Sequence, residues 1–141
     1  MSEWLERPHG ALTFRLVQIL SGHGCFGRYL HKIAGREPTE ECHECGADVD
    51  TAEHTLEVCP AWGPEREELI AIVGPDLSLP AVVKSMVDSD RSWQAVANFC
   101  ELTMTQKETA ERAREVDPMA DQRRRKRARR RRVAQDRRLP P

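Results

Sequence analysis

The sequence predicts a small, mostly α-helical fold with a disordered basic tail, and three observations lead there. Apolar residues recur at three- and four-residue intervals through successive stretches. Cysteine and histidine crowd into one short, irregular segment. The charge divides sharply along the chain. At 141 residues the chain holds one domain of ordinary size plus some surplus. Only 39% of it is apolar and 5% aromatic, so the core is thin, while 32% is charged. No apolar run approaches the roughly 18 residues of a membrane helix, and the opening does not read as a signal peptide. Neither a membrane-spanning nor a secreted protein is expected. No GxxxxGK[ST] loop occurs, which argues against a P-loop ATPase.

Residues 10–21 carry Leu12, Leu16, Ile19 and Leu20 at helical spacing, with Gly22 as a stop. Residues 25–34 repeat the pattern through Phe26, Tyr29, Leu30 and Ile33 and end at Gly35. Gly22-His23-Gly24 breaks the two, giving a helical pair over 1–36. Residues 36–50 show no sustained period and read as a loop or small hairpin. Asp50-Thr51-Ala52-Glu53 has the form of a capping box, so a short helix is expected from Thr51 to about Val58.

Pro60, Gly63 and Pro64 punctuate the chain before a helix at 65–73, which has Leu69, Ile72 and Val73 on one face and closes at Gly74-Pro75. A further short helix is expected over 80–87, where Pro80 suits the first turn. Asp88-Ser89-Asp90 offers caps for a long helix from Arg91 to about Val116. Its first half has a stripe of Trp93, Val96, Ala97, Cys100 and Met104. Its second half reads as charged all round, with Lys107–Glu111 and Glu108–Arg112 at i,i+4 spacing. This helical region covers 63–117, and no internal repeat is visible.

The net charge of −1 conceals two opposite halves. Residues 1–121 hold 11 Lys/Arg against 22 Asp/Glu, a net of −11, while 122–141 hold 11 against one, a net of +10. The tail, 118–141, has almost nothing to bury and repels itself, so disorder is expected.

Five cysteines, an odd number, argue against a disulfide framework and favour metal ligation or burial. Cys25 and Cys100 fall in helical stretches and are expected as small core hydrophobes. The others form Cys42-x2-Cys45-x8-His54-x4-Cys59. Two thiolates with two residues between them can sit on one turn, which Gly46 permits, while a helix carries His54 and Cys59 ends it. Three thiolates and an imidazole are the donor set of a closed, structural zinc site with no open position for water. Zinc binding there could contribute on the order of 10 kcal/mol to folding. His43 is an alternative to His54, although its side chain should point away from the turn. His23 and His31 are expected to be structural or exposed. The fold is therefore a small zinc-stabilised helical domain with a CCHC knuckle over 37–62.

The run Leu16-Val17-Gln18-Ile19-Leu20-Ser21-Gly22-His23-Gly24-Cys25-Phe26-Gly27-Arg28-Tyr29-Leu30, followed by Cys42-x2-Cys45, Asp50-Thr51-Ala52-Glu53-His54 and Cys59-Pro60-Ala61-Trp62, carries a resemblance. It resembles the C-terminal region of non-LTR retrotransposon reverse-transcriptase polyproteins, most of all the arthropod elements that insert into ribosomal RNA genes. Asp76-Leu77-Ser78-Leu79-Pro80 and Phe99-Cys100-Glu101 agree, and the resemblance covers roughly 12–116. It implies a zinc-knuckle-like module that supports target-primed reverse transcription by contacting RNA or DNA, with Cys42, Cys45, His54 and Cys59 as ligands and the rest of the polyprotein as a further partner. The spacer of eight is longer than the four of the short retroviral knuckle, so that module's RNA-binding geometry does not carry over. No Tyr-x-Asp-Asp motif occurs, so no catalytic carboxylate carries over and no enzymatic activity is expected of this chain.

Arg123, Arg124, Arg125, Lys126, Arg127, Arg129, Arg130, Arg131 and Arg132 place nine cations in ten positions. Such density suits phosphate neutralisation without base reading, and equally a nuclear import signal. On the acidic body, Arg28, Lys32 and Arg36 at i, i+4, i+8 form the visible cationic group, with Tyr29 between them as a core residue or a stacking platform. A nuclear, non-catalytic nucleic-acid-binding module is the leading expectation. The alternative is a zinc-stapled protein-interaction domain with a nuclear-localisation tail.

Overall fold

The computed structural model describes residues 9–120. The basic run Arg123–Arg132 lies outside them. The described residues are mostly helical and contain no strand. Five α-helices follow in order: α1 (Phe14–Ser21), α2 (Gly27–Lys32), α3 (Gly63–Val73), α4 (Leu79–Asp88) and α5 (Asp90–Glu115). Between α2 and α3 lie an irregular loop, a π-helical turn at His54–Val58 and a 3₁₀ turn at Pro60–Trp62. None of these helices is long and apolar enough to cross a membrane.

The spine is α5, against which α1, α3 and α4 all pack. Ser89 starts it, its hydroxyl accepting from Ser92 N at 3.3 Å. Its inner face buries Trp93, Val96, Phe99, Cys100 and Met104, each large side chain contributing about 1.5–3 kcal/mol. These join Leu16, Ile19, Phe26, Leu56, Leu69, Val82 and Met86 in one core, together with Cys42 and Cys59 of the loop. Proline sits in the first turn of both α3 and α4, where its missing N–H costs nothing.

Several boundaries differ from the sequence expectation, each for a local reason. The first helix begins at Phe14, not residue 10, because the Thr13 hydroxyl caps it by accepting from Leu16 N. Residues 9–11 instead run across Trp93: the indole Nε1–H donates to Ala11 O at 3.1 Å, and the His9 ring meets Trp93 edge-on while bonding Met86 O. Leu12 is consequently exposed. The second helix starts at Gly27, so Cys25 stands in the turn before it, half-buried beside a polar cavity. Ile33, expected on the apolar face, follows the last turn and is 70% exposed. Cys100 is in the core as expected, and burial pushes its thiol up to about 12.

The second half of α5 is not a solvated charged face. Lys107, Glu111 and Glu115 are buried. Lys107 bonds Glu44 and Asp50, Glu111 pairs with Arg36 and Arg114, Glu115 pairs with Arg36, and Glu108 pairs with Arg15. The partners of these acids and of Lys107 thus come mainly from other segments, in place of the expected i,i+4 pairs.

Candidate metal centre

Loop 36–50 doubles back as a hairpin without strands: Cys42 N–H donates to Ala47 O, Gly46 N–H to Cys42 O, and Asp50 N–H to Glu40 O, each at 2.8 Å. Gly46 takes φ +81°, the left-handed conformation that returns the chain after the second cysteine. Thr51, not Asp50, caps the next turn, its hydroxyl accepting from His54 N at 3.0 Å. The expected helix then widens. Cys59 N–H donates to His54 O, an i→i+5 bond of 2.8 Å. In an α-helix, positions five apart point about 140° away from each other; the wider turn brings Cys59 back toward His54. Arg66 of α3 fixes the turn from outside, donating to Leu56 O and Thr55 O at 2.9 Å each.

Cys42, Cys45, His54 and Cys59 converge, one donor atom from each lying within 4.8 Å of all the others. Cys42 Sγ is 3.9 Å from Cys59 Sγ, and Cys45 Sγ is 3.3 Å from His54 Nε2. A tetrahedral zinc with Zn–S near 2.3 Å and Zn–N near 2.0 Å would separate sulfurs by about 3.8 Å and sulfur from nitrogen by about 3.5 Å. Both the donors and their spacing fit such an ion. Burial pushes the Cys42 and Cys59 thiols above the ordinary thiol range.

Beside Cys42 stands a group of charged side chains. Glu44 Oε2 lies 3.4 Å from Cys42 Sγ and accepts from Lys107 Nζ at 2.9 Å. Lys107, 1% exposed, also donates to Asp50 Oδ2 at 3.0 Å. Burial works against its charge, but Asp50 and Glu44 together raise its pKa. Burial likewise disfavours the Glu44 carboxylate, yet Lys107 holds its pKa below the usual range. Cys42, Glu44 and Asp50 form a second group close enough to hold an ion, but the Lys107 ammonium already bonds both of its carboxylates. Asp50 Oδ2 also accepts from Gly27 N–H at 3.0 Å. A Cβ on Gly27 would stand 2.4 Å from the carbonyl oxygens of Glu40 and Glu41, so only glycine lets α2 approach the loop this closely.

The remaining sequence candidates separate. His43 turns away from the cluster and bonds Glu37 Oε1 at 2.6 Å. His31 bonds Glu37 O, and His23 packs on Tyr29. The expected cationic face does not form: α2 stops at Lys32, and Arg36 folds back toward Glu111 and Glu115. Lys32 pairs with Glu40 at 3.1 Å. Sequence reading missed Glu44, Asp50, Lys107 and Arg66. The available signal was phase, since Lys107 and Glu111 continue the spacing of Cys100 and Met104.

No protein-family model matches the sequence, and no solved structure matches it. Over 112 residues the chain is 29% identical to "Retrovirus-related Pol polyprotein from type-1 retrotransposable element R1 4" of Nasonia vitripennis. The match takes in 79% of this chain but only 27% of that protein. The chain is thus distantly similar to a retrotransposon Pol polyprotein, and it carries a Cys/His cluster able to hold a metal ion.

Proposed function

We propose that this chain is a zinc-stabilised, non-catalytic module of retrotransposon origin, of zinc-knuckle-like type, that contacts RNA or DNA in support of target-primed reverse transcription. The observation that carries the reading is the convergence of Cys42, Cys45, His54 and Cys59 in a chain similar to a Pol polyprotein. Zinc, when bound, supplies a cross-link among four side chains. Four protein donors fill its shell and leave no position for a reacting water, which argues for structure over hydrolysis. Lys107 offsets the negative charge that gathers at Glu44 and the thiolates. The cations from Arg123 to Arg132 supply phosphate contacts and a nuclear address, and the rest of a polyprotein is the natural protein partner.

The test is gel-shift binding to duplex DNA and structured RNA across a salt series, comparing the chain with a variant in which the nine tail cations are glutamine. Each phosphate interaction removed should flatten the duplex log–log slope by about 0.9. A chain that binds neither nucleic acid at low salt is not such a module. The acidic body, net −11 over residues 1–121, favours one second reading: a zinc-stapled domain that docks a basic protein and uses its tail for import. That reading predicts nuclear accumulation without nucleic-acid affinity.

A further inference from the structure

The rings of His23 and Tyr29 lie 5.2 Å apart at 34°. Both residues line two neighbouring depressions, so the pair forms a ridge between them. One depression is an apolar groove of about 390 Å³ that includes Phe26 and Ala52 and carries Arg28. The other, about 240 Å³, is polar and carries Arg112. Of the ten Lys/Arg side chains among the described residues, seven bond acids or backbone carbonyls. The three without such a partner among the described residues are Arg28, Arg91 and Arg112, all exposed. Two of the three therefore flank one aromatic pair, on opposite sides. The acids of the polar depression are already matched, Glu108 by Arg15 and both Glu111 and Glu115 by Arg36. Glu53, at the groove, is the acid that opposes an anion there.

We infer that His23 and Tyr29 are a stacking platform for a base of single-stranded nucleic acid, with Arg28 and Arg112 taking the phosphates on either side. The inference rests on the nucleic-acid reading above and gives that reading a surface on the acidic body. An exposed imidazole beside a half-buried phenol offers a π-face that any unpaired base can cover, whereas a paired base is already stacked. The flanking guanidiniums match the backbone charge. An apolar peptide in the groove would cover the exposed Ile33 but leave both arginines unmatched, so the charge favours a polyanion.

The test uses the full zinc-loaded chain with short oligouridylate and oligothymidylate strands carrying 5-iodouracil. Ultraviolet cross-linking is mapped by peptide mass spectrometry, and affinity is measured alongside. Adducts on His23 or Tyr29 are expected, and the strand that forms them tells RNA from DNA. His23→Ala should weaken binding at least about fivefold, and Tyr29→Phe should leave it unchanged, because a phenyl ring still stacks. Arg28→Ala with Arg112→Ala, both exposed, should flatten the single-strand salt slope by about 1.4. Adducts confined to the tail, with the arginine double variant binding like the parent, would overturn the ridge and leave the nucleic-acid reading standing. No binding of either strand by the parent chain would also overturn the ridge, while the duplex DNA and structured RNA series decides the nucleic-acid reading by itself.

Discussion

Lys107 and Glu44, sixty-three positions apart, meet at 2.9 Å and join the last third of α5 to the turn between the first two cysteines. The lysine is held by two carboxylates, its aliphatic stem is enclosed, and its ammonium stands 5.7 Å from the centre of the Phe26 ring. The Cys/His loop is therefore anchored by charge as well as by its own backbone hydrogen bonds.

Removing the cation alone should cost more than removing the network. Lys107→Met leaves the buried Asp50 and the half-buried Glu44 without a counter-charge, an expected loss of about 3–5 kcal/mol. Adding Glu44→Gln and Asp50→Asn should recover most of it. Urea unfolding of the single and triple variants measures this; equal losses in both would mean the pairing is not what stabilises the junction.

Purified chain should contain one zinc per molecule by elemental analysis. Cys59→Ser, or exhaustive chelation, should abolish that content and release the hairpin and π turn, seen as reduced amide protection over 37–62. The free energy at stake is on the order of 10 kcal/mol. Metal-free protein with unchanged protection would refute a structural role for the cluster.

Gly27→Ala should destabilise the chain by about 1–3 kcal/mol, since the added methyl meets two backbone carbonyls that cannot rotate aside. Gly63→Ala is the control, because a Cβ there meets nothing within 4 Å. Thermal melts of the two variants should differ clearly.

How much of the fold is legible in the sequence depends on whether a signal is periodic or positional. The ligand set can be read because metal chemistry restricts residue type and spacing together, and α5 because its apolar stripe extends from Trp93 to Met104. The burial of Lys107, Glu111 and Glu115 escapes such a reading, because charge suggests solvent and masks the phase where composition changes. The π turn is hidden for another reason: nothing in His-Thr-Leu-Glu-Val distinguishes an i→i+5 closure from an ordinary helix. The placement of Arg36 depends on where α2 stops, and Lys32-Ile33-Ala34 contains no helix-breaking residue.

Glu111 should give the fold a measurable pH signature. Burial raises its carboxyl pKa above the ordinary glutamate value, against the pull of Arg114 and Arg36. A carboxyl raised on folding stabilises the native state while protonated, and that contribution is lost as pH climbs through the raised value. Glu111→Gln stays neutral throughout. Its stability relative to the parent should therefore grow as pH rises above about 4, and the two should converge in acid. Paired urea melts across that range check the sign; a gap that widens in acid would contradict it.

The fit of Gly27 against the carbonyls of Glu40 and Glu41 bears on protein engineering. A peptide cut at the edges of the four-ligand segment would lose the helix that packs beneath it, the lysine that neutralises it and the arginine that braces its wide turn. Unlike a self-contained finger that can be transplanted between hosts, this segment is a keystone, and a graft would have to carry its arch along.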